Sequence, residues 1–238
     1  MSLPTTPTQN QLTTDRLRAV LYGRPGAGKT TLAADWHPST TLILDVEGGT
    51  RFLPGQHFVQ RVGSYGEFMQ AVLDLTTQPH EFKTVVVDTI DSLVRLADAE
   101  AGQRAGKVAA GLVDFGRGLA DRDGTVLRDL RRLLATDLGV ILVAHPTIVT
   151  ESTPDGDKER LYPRIDANDR IRQEIIGLVD FTLFIRKDDH TIVTGGDPAI
   201  DTKRRVPLPD EMPSDARALA EAIKAGVAQL AAQPLVAA

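Results

Sequence analysis

The sequence has no cysteine, which excludes disulfides, thiolate metal sites and a cysteine nucleophile together. It has little aromatic surface to offer. One tryptophan, three tyrosines and seven phenylalanines make aromatics 5% of 238 residues, too few for a surface built mainly from base-stacking platforms. No uninterrupted apolar run approaches the roughly 20 residues that span a bilayer, so no membrane partner is expected. Met1–Asp15 lacks the charged and apolar regions of a secretory signal, and with the missing cysteine this fits a reducing cytoplasm. Nor is there a large excess of either charge. With 27 basic and 32 acidic residues the formal net charge is −5, which excludes a protein that coats nucleic acid with its whole surface and leaves room for a local basic groove. What is present is 42% hydrophobic and 25% charged residues, the balance of a folded globular chain.

The apolar residues come in short runs separated by amphipathic segments, the signature of βαβ units and a mostly parallel sheet flanked by helices, an α/β fold. One domain is expected over residues 15–230, with flexible tails at 1–14 and 231–238. The strand candidates are Arg18–Tyr22, Thr41–Asp45, Phe58–Val62, Thr84–Asp88, Val140–Ala144 and Phe181–Arg186. Helices are expected through Asp35 and after Ser64, where Ser64 and Glu67 form a capping box ahead of Phe68, Val72 and Leu75. Others are expected over Ser92–Ala101, Val126–Leu138 (ending at Gly139), Ile171–Val179, and Ser214–Leu230 with Ser214 as N-cap. Gln103–Gly118 is rich in glycine and reads as mobile and partly helical. Pro146–Asp169 is polar and turn-rich.

Between the first strand and the first helix stands Gly23-Arg24-Pro25-Gly26-Ala27-Gly28-Lys29-Thr30, which matches the phosphate-loop pattern G-x-x-x-x-G-K-[ST] at every fixed position. Its glycines let backbone N–H groups close around phosphate oxygens. Lys29 is expected to reach the β- and γ-phosphates of ATP, and the Thr30 hydroxyl to ligate Mg²⁺. Thr31 completes the expected nucleotide-binding set. Asp88, ending the valine strand, is the carboxylate that orients Mg²⁺, and the residue after it is Thr89 rather than an acid. The base that activates water must then come from elsewhere, or hydrolysis is slow. Glu47 follows the second strand, and carboxyl ends of parallel strands face the nucleotide crevice. His145 ends the strand Val140–Ala144. If that strand lies between those of Tyr22 and Asp88, the imidazole stands beside the γ-phosphate and can report hydrolysis to the loop that follows.

The P-loop, Leu44-Asp45-Val46-Glu47-Gly48, Val85–Leu93 and Val140–His145, taken in order, resemble the RecA-like recombinase ATPases, in particular the short core-only phage ATPases that assist single-strand annealing. The resemblance covers most of Arg18–Arg205. It implies an ATP-hydrolysing enzyme acting with single-stranded DNA in recombination or repair, assembled as a ring or filament in a bacterial or phage-infected cytoplasm. An annealing or single-strand-binding protein is an implied partner. The resemblance carries the role of catalytic base onto Glu47 and of γ-phosphate sensor onto His145. Lys203-Arg204-Arg205 resembles the Lys-x-Arg element that RadA-type relatives project into a neighbour's nucleotide site, which implies a catalytic role in trans for Lys203 and Arg205; the same residues also read as a solvated basic turn.

Glu151–Arg172 carries six acidic and five basic residues. By position it resembles the family's DNA-contacting loop, with Arg164 and Arg170 as phosphate contacts and Tyr162 as a stacking partner; by composition it is a mixed-charge solvent loop. Arg117, Arg122, Arg128, Arg131 and Arg132 form a second basic cluster, whose Asp121, Asp123 and Asp129 suggest an ion-paired helix face. Two other functions fit the P-loop. One is a small-molecule kinase with Asp114–Arg132 as an arginine-rich lid. The other is a nucleotide-dependent assembly module with little hydrolysis.

Overall fold

The computed structural model describes residues 13–112, 116–154 and 156–232; of the expected tails at 1–14 and 231–238, residues 1–12 and 233–238 lie outside the described residues. In chain order the elements are β1 (Arg18–Gly23), α1 (Lys29–Ala34), β2 (Thr41–Asp45), β3 (Phe58–Arg61), α2 (Tyr65–Thr77), β4 (Thr84–Asp88), α3 (Ile90–Arg104) and α4 (Arg117–Leu134). There follow β5 (Gly139–Ala144), β6 (Pro146–Thr153), β7 (Gly156–Pro163), α5 (Asp169–Leu178), β8 (Phe181–Ile185), β9 (Thr191–Val193), β10 (Glu211–Pro213) and α6 (Ala216–Ala231).

Eight strands form one sheet in the order β10-β9-β8-β1-β5-β4-β2-β3. From β8 to β3 the pairing is parallel, and β9 and β10 add an antiparallel edge. Successive strand residues point to opposite faces, and both faces are covered, which is why the central strands are apolar throughout. Val20, Tyr22, Leu44, Val85, Val87 and Leu142 pack under α2, α3, α4 and α5. Ala19, Leu21, Ile43, Val86, Ile141, Phe181 and Leu183 pack under α1 and α6. The mostly parallel α/β architecture is the one the alternating pattern predicts.

Several boundaries differ from expectation. Helix α4 starts at Arg117 rather than Val126 and stops at Leu134, well before Gly139. Gly118 and Gly124 weaken the local helical signal, but burial of Val126, Leu127, Leu130, Leu133 and Leu134 carries the helix through them. Gly139 instead opens β5, where a β-carbon would lie 2.7 Å from Asp15 O. Gln103–Gly118 is partly helical, as expected: α3 runs to Arg104, a 3-10 turn covers Ala110–Leu112 and α4 opens at Arg117, while residues 113–115 of that segment lie outside the described residues. The N-cap of α6 is Asp215, which accepts from Ala218 N at 2.7 Å. Ser214 has another duty, donating its N–H to His190 O at 2.8 Å.

The largest difference is at Pro146–Asp169. It is a β-hairpin, not a loop: β6 and β7 pair in continuous antiparallel register from Pro146↔Pro163 to Thr153↔Gly156. Its many charged residues hide the alternation, because both faces are partly wet. The buried Tyr22 hydroxyl anchors it, 2.6 Å from Asp201 O and 3.1 Å from Leu161 O. Near the start of the described residues, Trp36 Nε1 donates to Thr14 O at 3.1 Å and Thr14 opens a 3-10 turn, so Thr14, inside the expected flexible tail, is tied to the domain.

Candidate nucleotide-binding site

The strand order sets the site. The carboxyl ends of β1, β5, β4 and β2 stand side by side, so four segments remote in sequence converge on one edge. β5 lies between β1 and β4, the arrangement on which the reading of His145 depended.

At the tip of β1 a β-carbon on Gly23 would lie 2.4 Å from Ile185 O, so only glycine lets β8 pack there. Gly26 and Gly28 have φ of 79° and 90°, the left-handed region that favours glycine. The chain turns inward as a result, and the amides of Gly28, Lys29, Thr30 and Thr31 have no hydrogen-bond partner among the described residues. Concave, unpartnered N–H groups of this kind suit an anion. The side chain of Lys29 lies back along the loop, its Nζ donating to Gly23 O at 2.9 Å and Arg24 O at 3.2 Å. Burial lowers the Lys29 pKa, while the charges of Asp88, Glu47 and Asp91 act to raise it. Pro25 and Arg24 are exposed on the rim, and Ala27 is buried beneath.

Thr30 Oγ1 donates to Asp88 Oδ2 at 2.8 Å. These are hard oxygen donors, the type that a divalent cation such as Mg²⁺ takes. The Asp88 carboxyl is pushed up to about 6, first by burial; the hydrogen bond from Thr30 opposes this, and the nearby charges of Asp45 and Glu47 add to it. Such a crowded carboxylate gains most from a cation beside it. The residues present therefore fit Mg²⁺.

The two acids after β2 divide their work. Asp45 is buried and committed, accepting from Gly48 N at 2.6 Å and from the Thr50 hydroxyl at 2.5 Å, with Arg61 Nη1 at 3.3 Å. It holds the turn. Glu47 remains half exposed, and its Oε2 lies 3.9 Å from His145 Nε2. The backbone N–H groups of Val46 and Glu47 both donate to Asp88 O, at 2.7 and 3.2 Å, which fixes this turn against the tip of β4.

His145 is oriented by a residue that sequence reasoning missed. Its Nδ1 lies 3.0 Å from Asp91 Oδ2, and Asp91 is fully buried in the first turn of α3. The hydrogen bond to Asp91 raises the His145 pKa against the effect of burial. For Asp91, burial acts upward, but its bonds to His145 and Thr89 outweigh it and the pKa is lowered. Asp91 lies three residues after Asp88, and that spacing was the available signal: it turns an acid in the first helical turn back toward the strand tips. The series continues outward. Arg95 lies 3.4 Å from Asp91 and 3.0 Å from Asp166, and Asp166 is held by Arg164 at 2.6 Å. Arg164 N in turn donates to His145 O at 2.7 Å, at the base of the hairpin.

The remaining expected site residues are not brought to this edge. Lys203 bridges to Thr182, the second residue of β8, which pairs with Val20 midway along β1, and its side chain turns toward the start of β8, away from the P-loop. Its Nζ donates to the carbonyls of Ile176, Gly177 and Val179 at 2.7–3.0 Å, closing the end of α5. Arg205 pairs with Asp180 at 3.0 Å. Tyr162 donates to Glu151, and guanidinium groups of Arg160 and Arg172 lie 5.5 and 5.0 Å from its ring centre, so its ring is already engaged. Arg170 is exposed, with no ion pair among the described residues. The second basic cluster is largely ion-paired: Arg122 with Asp98 and Asp123, Arg128 with Asp129, and Arg131 with Glu174.

Beside the P-loop opens a cleft of about 490 Å³, bordered by Thr31, Asp35, His190, Asp215 and Arg217. Its size is in the range of small-molecule sites, and Ala27, Gly28 and Thr31 of the phosphate loop are among its lining residues. A smaller cleft of about 210 Å³ between α2, α3 and α4 includes none of the site residues. Among the described residues no helix is long and apolar enough to cross a membrane. The sequence model of one protein family, described as the AAA domain, matches residues 15–206. No curated protein matches the chain.

Proposed function

The chain belongs to the AAA domain family, and from that premise we propose that it binds ATP with Mg²⁺ and hydrolyses it at the edge formed by β1, β5, β4 and β2. The observation that carries this reading is the convergence of Thr30–Asp88, Glu47 and the His145–Asp91 pair on one unpartnered phosphate loop. Thr30 and Asp88 hold Mg²⁺, which when bound supplies positive charge to the phosphates. The loop amides and Lys29 bind the phosphate chain. Glu47 is the acid left free to hold a water in line with the terminal phosphorus and to take its proton. Asp91 fixes His145 so that one imidazole nitrogen faces Asp91 and the other faces Glu47 and the reacting region. Loss of the γ-phosphate changes what that nitrogen faces, and the series Asp91–Arg95–Asp166–Arg164 leads from there to the hairpin base.

The decisive measurement pairs nucleotide binding with phosphate release. Lys29→Ala is expected to lose ATP binding, whereas Glu47→Gln keeps binding and loses hydrolysis. A Glu47→Gln chain that still releases phosphate at the parent rate removes Glu47 from its role.

The order of the four motifs extends the proposal to a RecA-like ATPase of phage type, working with single-stranded DNA in recombination or repair and assembling as a ring or filament. An annealing or single-strand-binding protein is the further partner this reading calls for. Of the three expected DNA contacts, Arg170 is the one still available to DNA phosphates, because Tyr162 and Arg164 are held within the chain. The bonds of Lys203 and Arg205 favour a structural part for both over a catalytic one in a neighbour. ATP turnover with and without single-stranded DNA tests the extension; no stimulation and no retention of DNA at low salt would sink it. The kinase reading loses its lid, since Arg117–Leu134 is a helix buried along one face.

A further inference from the structure

Strand β8 runs beside β1 with Ile185 opposite Gly23, so the turn after β8 overhangs the loop after β1. Ion pairs brace this turn. Arg186 binds Asp189 at 3.1 Å and Glu211 at 2.7 Å, and Asp189 also accepts from Thr191 N at 3.1 Å. These bonds occupy Asp189 and Glu211, while Lys187 and the adjacent Asp188 are exposed, and Lys187 has neither an ion pair nor a hydrogen bond from its Nζ among the described residues. The ammonium group nonetheless lies over the phosphate loop: a β-carbon on Gly26 would be 3.4 Å from Nζ and 3.5 Å from Cε of Lys187. The amides of Gly28, Lys29, Thr30 and Thr31 in the same loop have no hydrogen-bond partner among the described residues, while Asp45, Glu47, Asp88 and Asp91 belong to the β4 and β2 side of the site. An exposed ammonium group beside concave, unpartnered N–H groups adds to what an anion bound there would meet.

We propose that Lys187 is a second phosphate-binding cation supplied by the same chain, meeting the β- and γ-phosphate oxygens from the side opposite Glu47. This rests on the ATPase reading above and adds a catalytic residue to it. As water attacks the terminal phosphorus, the bond from that phosphorus to the β–γ bridging oxygen breaks, giving ADP and inorganic phosphate. The proton of the attacking water goes to Glu47. Lys187 keeps its own protons and contributes charge, neutralising the oxygens on which charge develops, as an arginine finger does in other phosphoryl-transfer sites.

The test compares the parent, Lys187→Ala, Lys187→Arg and Lys187→Glu for calorimetric binding of ATP and AMP, for phosphate release and for thermal midpoint. Lys187→Ala is expected to weaken ATP binding about tenfold, the loss of one charge-assisted hydrogen bond, and to slow phosphate release. Its AMP binding and thermal midpoint should match the parent. Lys187→Arg should restore both functions in large part, and Lys187→Glu should be weaker than Lys187→Ala. Unchanged ATP binding and turnover in Lys187→Ala overturns the proposal, as does an equal loss for AMP, which would mark a structural effect. A parent chain that binds no ATP would overturn the ATPase reading itself, a different result from a parent that binds ATP indifferently to Lys187.

Discussion

At the scale of single residues, burial separates chemistry from scaffolding among acids that look alike in the sequence. Asp45 and Glu47 are two positions apart, yet Asp45 spends both oxygens on its own turn while Glu47 remains half exposed beside His145. Glu47→Gln should therefore lower hydrolysis by about 10²–10⁴-fold, the range of a lost general base, with ATP affinity retained; phosphate-release and binding assays check this. His145 and Asp91 give a prediction in pH. The imidazole pKa is raised, so its contribution to stability is complete below the ordinary imidazole value of about 6.5 and fades as pH rises through the raised one. The Asp91 pKa is lowered, so its contribution is complete above the ordinary carboxylate value and fades as pH falls through the lowered one. Stability from the pair should peak between the two. In Asp91→Asn the profile should flatten and the ring titration of His145, followed by NMR, should move down. The P-loop, Asp88, Glu47 and His145 were all legible, because loop spacing and strand ends are properties of the sequence. Asp91 and Lys187 were not, since only the fold brings them to face this edge.

At the scale of elements, two glycines inside helices should respond in opposite ways to the same substitution. Gly124 is exposed within α4, and nothing lies within 4 Å of the place a β-carbon would take. Gly124→Ala should stabilise by about 0.5–1 kcal/mol through helix propensity alone. In α6 a β-carbon on Gly226 would lie 2.4 Å from Pro207 O and 2.9 Å from Val206 Cγ2. Overpacking of about 1–3 kcal/mol there exceeds the propensity gain, so Gly226→Ala should lower the urea midpoint while Gly124→Ala raises it. The strands with continuous apolar runs were read nearly to the residue. The hairpin β6–β7 was not, because alternation needs one dry face and one wet face, and here both faces are partly wet. Strands β9 and β10, three residues each, are too short for any period to register.

At the scale of the whole molecule, Lys203 gives a prediction that distinguishes fold from assembly. Its three bonds to the end of α5 tie the late chain to the helix, so Lys203→Ala should lower the thermal midpoint of the isolated chain. A role in a neighbour's site would instead leave that midpoint unchanged, abolish the turnover of Lys203→Ala alone and restore part of it in mixtures with Glu47→Gln chains, a comparison that subunit-mixing assays make directly. With a net charge of −5, any contact with DNA falls to local clusters rather than to the surface as a whole, and its affinity should drop steeply with added salt. The sequence alone determined the phosphate loop, the α/β class and the strands whose ends converge beside that loop, because glycine spacing and apolar runs are local and the backbone reads them locally. Only the tertiary structure decided which ends meet. The order β8-β1-β5-β4-β2 brings Lys187, the P-loop, His145, Asp88 and Glu47 to one edge while Lys203 turns away from it, and strand order depends on which faces bury together, a property no single segment of the chain possesses.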